Sequence, residues 1–419
     1  MSDPFMSRRG AALVASPPLP EYIGEHFARC DPPWHPEHNA NGYVGMCIAE
    51  NKLMNDLLLP KLSEVGVPPE HVLGYDAMIG NLDFRTKLAD FMSTRFLGRA
   101  VAPEHVAVLA GAGTVLETLF YVLADPGDAV LVPTPSYAGF WADLCARDGL
   151  EIVTIDTSSD DEFRLTTGQL DAALSTAERP VRALLFTTPD NPMGRVYTGT
   201  ELESVLQWAE ANEIHVVFDE VYALSVFGDQ AFTSAASLRP SLGDRAHIVW
   251  AFSKDFGASG LRCGVLISEN EAVMAAVDGL AYWGCVSGHT QWLLHNLVSD
   301  DAWVDHYLGE LRRRLGDAYS QVSQALNVQG IAHVPADAGI FVLCDVRNLM
   351  DDVTWEAEER LWRRLLEVGN VNLTPGSACH IAEPGFLRLC YAAGATEAIV
   401  AGIERLALIR HQTGAMPSG

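Results

Sequence analysis

Between Val106 and Ile267 the chain repeats one unit: a short apolar run, a turn marked by glycine, proline or a polar residue, then a helical stretch. The runs Val106–Leu109, Ala129–Val132, Glu151–Ile155, Arg182–Thr187, His215–Asp219, His247–Phe252 and Leu261–Ile267 are strand-length. Helical spacing falls between them at Val115–Ala124, Gly139–Arg147 and Thr200–Asn212. Strands that are apolar at consecutive positions need cover on both faces. The pattern therefore predicts an α/β chain with a mainly parallel sheet sandwiched by helices. In such a sheet ligands bind beyond the carboxyl ends of the strands, so the chemistry of this chain is to be sought in those turns.

The flanks are different. Leu82–Phe96 has helical spacing, and a shorter helix is expected near Asp56–Val65. A long helical region, about Asp301–Leu326, leads out of the first core. Beyond Gly330, the strands Gly339–Cys344 and Phe386–Tyr391 and the helices Trp355–Val368 and Thr396–Arg410 predict a smaller α+β domain. The expected division is an N-terminal arm and segment packing with the small domain (1–70), a large domain (71–315) and a small C-terminal domain (316–419). The first twenty residues read as a loose arm, too proline-broken for a signal peptide, and residues 20–70 as irregular. With 419 residues, 48% of them hydrophobic, the chain can fill two cores, and no apolar run approaches the roughly 18 residues of a membrane span. A formal net charge of −26 disfavours nucleic acid and anionic membranes as partners. Eight cysteines without a CxxC pair suggest reduced thiols and a cytoplasmic protein.

Five features stand at strand ends. AGAGT (Ala110–Thr114) joins a strand to a helix, where free amides and the Thr114 hydroxyl can hold a phosphate. PTPSYAGF places Tyr137 where a ring could stack on a flat ligand. Asn191 lies in the turn of TTPDNPMG. HVVFDEVY ends a strand on Asp219, with Tyr222 three residues on; a buried acid needs a cation or hydrogen-bond donors, and a protonated pyridine nitrogen would be such a cation. VWAFSKDFGASGLRCG carries Ser253, Lys254 and Arg262: an amine that can form a Schiff base once it loses its proton, and a guanidinium fork suited to phosphate. Singly, each is an ordinary turn or rim residue. Together they meet the requirements of pyridoxal 5′-phosphate.

In the order GAGT, PSY, NP, DEVY, SKDFGASGLR, from about Asn41 to Arg388, the sequence resembles the fold type I pyridoxal-phosphate enzymes of the class I/II aminotransferase branch. Within that branch, GYVGMCIAENKL, ADPGDAVLVPTPSYAGF and FSKDFGASGLRCG are similar to segments of the 1-aminocyclopropane-1-carboxylate (ACC) synthases. The resemblance implies that Lys254 holds the cofactor and shuttles the Cα proton, while Asp219 pairs with the pyridinium. It implies that Asn191 and Tyr222 contact the ring oxygen, that Tyr137 stacks, and that Gly113, Thr114, Ser253 and Arg262 hold the phosphate. Tyr75 would reach that phosphate from the neighbouring subunit of a homodimer. Arg388 in FLRLCYA matches the arginine that clamps the substrate carboxylate, and Glu50 a residue near the substrate entrance.

There are departures from the family pattern. Ala251 replaces a serine, YDAMIGNLDFR lengthens the spacing after Tyr75, Lys52 replaces a glutamine, and PSYAGF, with Ser136, replaces a PYYPGF-like run. The implied activity is S-adenosylmethionine-dependent elimination or substitution at Cγ. The altered rim leaves room for a specialised annulation or cyclisation with a second small-molecule acceptor. Aminotransfer from an amino acid to a 2-oxo acid is the alternative.

Overall fold

In the computed structural model of the chain, which describes residues 5–410, a seven-stranded sheet forms the larger core. Its strands are β1 (Val106–Leu109), β2 (Ala129–Thr134), β3 (Glu151–Asp156), β4 (Val181–Thr187), β5 (His215–Asp219), β6 (Ala246–Ala251) and β7 (Gly264–Ser268). Their order in the sheet is β1-β7-β6-β5-β4-β2-β3. Neighbours run parallel except around β7, which is antiparallel to β1 and β6. Successive side chains go to opposite cores: Val216, Phe218, Ile248 and Trp250 pack in one, Val217 and Val249 in the other. This is why the strands read as continuous apolar runs, since each face is covered.

The helix Asp301–Val328 crosses from this core to the second. Its buried positions Leu308, Leu311, Leu315, Ala318, Val322 and Leu326 recur every three or four residues, and the Asp300 carboxylate accepts the Trp303 N–H at 3.0 Å to cap its start. The smaller sheet contains β8 (Ala332–His333), β9 (Phe341–Asp345), β10 (Thr374–Pro375) and β11 (Phe386–Cys390), in the antiparallel order β10-β11-β9-β8. The N-terminal segment packs on this part of the chain. Val44–Gly45 pairs parallel with Val371–Asn372, and Tyr22 is buried with Trp362 and Leu366.

Several local expectations are corrected. The arm contains the helices Arg8–Ala15 and Glu21–Arg29. The prolines at 17, 18 and 20 lie outside both helices, with Pro20 fixing the entry to the second; they break the chain between helices and not within them. The helix from Leu82 is regular only to Met92 and closes with a wider π turn over Ser93–Leu97. The helix expected from Val115 starts at Ala112, which places Gly113 and Thr114 in its first turn. The strand expected from Leu261 starts at Gly264, because Ser259–Leu261 is a 3₁₀ turn and Arg262 sits in the left-handed region at φ 50°. Among the described residues no helix is long and apolar enough to cross a membrane, and all eight cysteines are free thiols.

Candidate active site

Strand β5 ends on Asp219, in register with Thr187 of β4 and Val249 of β6. Strand β6 ends on Ala251, and the chain turns at once into the four-residue helix Phe252–Asp255. Phe252 and Asp255 point into the core, leaving Lys254 to face a cavity of about 200 Å³. Gly113, Tyr137, Asn191, Asp219, Tyr222, Ser253 and Arg262 line the same cavity. Strand ends that are distant in sequence are thus gathered on one edge by the parallel order.

The electrostatics of this edge follow from burial. Lys254 Nζ donates to the Ala49 carbonyl at 2.6 Å, and burial lowers its pKa from 10.5 to about 8. A neutral, nucleophilic amine is therefore accessible near neutral pH. Burial raises Asp219 from 3.8 to about 7, against the pull of the Val221 N–H at 3.4 Å and of nearby Lys254. Such an acid is poised to accept a proton or to pair with an added cation.

Arg388 enters from the other sheet. On β11 it stands opposite Leu343 of β9, and it is 1% exposed. Its Nη1 donates to Asn191 Oδ1 at 3.1 Å, and its Nη2 donates to Cys47 O and Thr374 Oγ1, each at 3.0 Å. The guanidinium lies 4.3 Å from the Phe341 ring centroid. Asn191 Nδ2 in turn donates to the Tyr222 hydroxyl at 3.4 Å. Among the described residues no carboxylate pairs with Arg388, and its Nε is buried without a partner. A buried cation with a free donor is costly unless an anion completes it.

The phosphate-type donors lie at the start of the helix Ala112–Leu123, whose first amides have no intrahelical acceptor. Thr114 Oγ1 donates to Ala110 O at 3.1 Å, and its hydroxyl would turn from that carbonyl to donate to a phosphate. Arg262 Nη2 donates to the same carbonyl at 3.3 Å. Gly111 caps this helix at φ 95°, and a Cβ there would overlap the Arg262 guanidinium. Glycine is needed at that position for its φ, and a side chain there would also displace the Arg262 guanidinium.

Four expected residues lie outside the cavity lining: Thr114 and Arg388, described above, and Glu50 and Tyr75. Glu50 forms an ion pair with Lys52 at 3.0 Å, while its carbonyl accepts the Cys390 thiol at 3.6 Å. Tyr75 is 99% exposed on the loop after Leu73, apart from the cavity of its own chain. Conversely, the cavity includes Asp143, which sequence reasoning missed; burial raises it to about 6, with Arg262 opposing. Its signal was the helical offset of three from Phe140, which puts both on one side of the helix Phe140–Cys145. Tyr22 was missed with its helix: it is buried close enough to Arg388 to feel its charge.

An amine that can lose its proton, a buried acid ready for a cation, and amides beside an arginine are donors for an aldehyde, a pyridinium and a phosphate. The residues present fit pyridoxal 5′-phosphate, and with this sheet they define the fold type I class of enzymes using that cofactor. The chain belongs to the class I and II aminotransferase family, which residues 61–406 match. It is accordingly a pyridoxal-phosphate-dependent enzyme. It is 35% identical to a 1-aminocyclopropane-1-carboxylate synthase of Malus domestica over 383 residues (86% of this chain, 81% of the relative). It is also 35% identical to 1-aminocyclopropane-1-carboxylate synthase 8 of Arabidopsis thaliana over 396 residues (89% and 84%). Among solved structures, an aspartate aminotransferase of Thermus thermophilus superposes with a TM-score of 0.80 at 22% identity, covering 98% of this chain and 100% of its own.

Proposed function

We propose that the enzyme acts on S-adenosylmethionine and cleaves its Cγ–S bond, releasing methylthioadenosine, with a second small molecule as acceptor where one is used. The observation that carries an α-amino acid substrate is Arg388, a buried guanidinium without an acid, joined through Asn191 to the edge that holds Lys254. The choice of S-adenosylmethionine is supported by similarity to ACC synthases at 32–35% identity over most of both chains.

Bound pyridoxal phosphate supplies an electron sink that makes the Cα–H of an amino acid acidic. Lys254 would hold the cofactor and take the substrate Cα proton on Nζ; its lowered pKa suits both tasks. The Asp219 carboxylate accepts the ring N–H, which draws its own pKa back down. Asn191 and Tyr222 bond the ring oxygen, and Tyr137 covers the ring. The Gly113 amide, Thr114, Ser253 and Arg262 take the phosphate. Arg388 orients the substrate by its carboxylate, turning two N–H groups to it in the bidentate geometry that arginine favours. Glu50 and its ion-pair partner Lys52 would mark the entrance at which an acceptor is selected; Ser136, expected on the same rim, is instead buried, with its N–H donating to Cys379 O at 2.9 Å. In this reading the chain is a homodimer, with Tyr75, exposed in one protomer, completing the phosphate site of its partner.

The test is product analysis of the purified enzyme. Given S-adenosylmethionine, alone or with an acceptor, it should release methylthioadenosine. Turnover supported only by 2-oxoglutarate, with the sulfonium left intact, would establish an aminotransferase in its place.

A further inference from the structure

Next to Lys254 lies a second acid with a different situation. Asp255 is fully buried and faces away from the cavity. Its Oδ1 accepts the Ser225 hydroxyl at 2.6 Å, and its Oδ2 accepts Trp250 Nε1 at 2.8 Å and the Leu224 N–H at 3.2 Å. Trp250 belongs to β6, whereas Leu224 and Ser225 belong to the turn after β5, which is closed by the Ser225 N–H on the Tyr222 carbonyl at 2.9 Å. One carboxyl therefore fastens the helix bearing Lys254 to the turn bearing Tyr222.

The same turn grips the smaller domain. The Ser225 carbonyl accepts the Gly339 N–H at 2.8 Å, and the Phe227 and Gly228 N–H groups donate to Asp337 O at 2.9 and 2.8 Å. On the other side, the Asp337 and Ala338 N–H groups donate to Gly194 O, both at 3.0 Å, just past Asn191. Residues 337–339 are thus clamped between the turns that carry Asn191 and Tyr222, and they run directly into β9, the partner of the strand holding Arg388.

We infer that Asp255 is a positioning residue: it holds Lys254 in register with Tyr222 and, through Ser225, with the sheet that carries Arg388. This rests on the reading of Lys254 as the cofactor-bearing amine. What positioning requires here is hydrogen-bond geometry and not charge. Asparagine can accept from Trp250 and Leu224 on its oxygen and donate from its nitrogen to Ser225 Oγ, which accepts as readily as it donates. Alanine would orphan three donors in a dry site and free the helix to shift.

The experiment measures two properties that need no amino-acid substrate: the rate at which apoenzyme takes up pyridoxal phosphate covalently, and the pH midpoint of the bound chromophore. Asp255→Ala should slow uptake about 10- to 100-fold, the scale of an ångström-sized misplacement, and move the pH midpoint. Asp255→Asn should recover most of both. Should the alanine variant not fold, Trp250→Phe, which removes one donor, should give the same changes in smaller measure. Wild-type uptake and midpoint in Asp255→Ala, or in Trp250→Phe in its place, would overturn the inference, as would equal losses in the asparagine and alanine variants that follow thermal stability alone. Lys254→Ala separates the two readings. If borohydride still fixes cofactor to that variant, Lys254 is not the amine; if it does not, an unaltered Asp255→Ala counts against positioning only.

Discussion

The edges of the two sheets that meet near the cavity bury different ionisable groups. At the carboxyl edge of the large sheet lie four buried acids: burial lifts Asp219 and Asp255 to about 7, Glu220 to about 8 and Asp190 to about 6. The small sheet buries a cation, Arg388, held by neutral acceptors. Three of the acids are closed by neutral donors: Glu220 by Ser234 and Ala235, Asp255 by Ser225, Trp250 and Leu224, Asp190 by Met193 and Tyr197. None of those three lines the cavity; Asp219 does. The lesson is that an acid in this edge is structural when its oxygens are used inside the protein and functional when one faces the cavity. Asp219 and Arg388 are complementary to a ligand pair with a positive end and a negative end, and Asn191 Oδ1 accepts from the Arg388 end.

Asp219→Ala gives the sharpest break of that contrast. It should keep cofactor, since Lys254 and the phosphate donors remain, yet turnover of S-adenosylmethionine should fall by about 10³-fold or more. Absorbance of the purified variant and its rate decide this. A near-normal rate would place Asp219 with Glu220 and Asp255 as a structural acid.

Arg388→Ala tests the cationic half, with a smaller effect. Losing a charge-assisted, bidentate contact of about 1.5–3 kcal/mol should raise KM about 10- to 100-fold. Arg388→Lys should recover part of this, because an ammonium cannot present the fork. An unchanged KM in both would locate the substrate carboxylate elsewhere.

How far the sequence carried depends on which physical signal each residue leaves. Asp219 and Lys254 were legible together and not singly: a lone lysine after a strand reads as a surface residue, and it was the unbroken apolar runs of parallel strands, bringing their ends to one edge, that made it a partner of Asp219. Arg388 was reached by resemblance alone: in FLRLC it reads as one alternating polar residue, and its lack of an acid is a tertiary fact. The Ala49 carbonyl that receives Lys254 is a backbone group about two hundred residues away and leaves no mark in the side-chain pattern. The helix Glu21–Arg29 is short and directly follows the prolines, and of its amphipathic face only Tyr22 is buried, so its pattern was hidden in that context. Gly111 was read as part of a glycine-rich turn, while its demand for glycine comes from its φ of 95°.

The smallest effect concerns stability, and it distinguishes Asp219 from the acids around it without any substrate. In the folded apoprotein Asp219 stays protonated up to about pH 7, whereas in the unfolded chain it ionises near 3.8. Between pH 5 and 6.5 the folded state therefore binds the extra proton, and stability must fall as pH rises, by at most about 1.4 kcal/mol per pH unit for this one group. Asp255 and Glu220 act in the same direction, while buried histidines such as His247 and His380, held neutral by burial, act in the opposite one, so the share of Asp219 is read from the difference between wild type and variant. Asp219→Asn removes one proton from the difference, and urea midpoints of the apoprotein from pH 5 to 6.5 should show a correspondingly shallower slope. Pyridoxal phosphate should flatten the wild-type slope likewise, because a ring N–H opposite Asp219 favours its ionised form. It should change the slope of Asp219→Asn far less, Asp143 being the one other acid that lines the cavity among the described residues. An identical slope in wild type and variant would mean that Asp219 is already ionised in the folded apoprotein, and that the cavity edge holds a charge before any cofactor arrives.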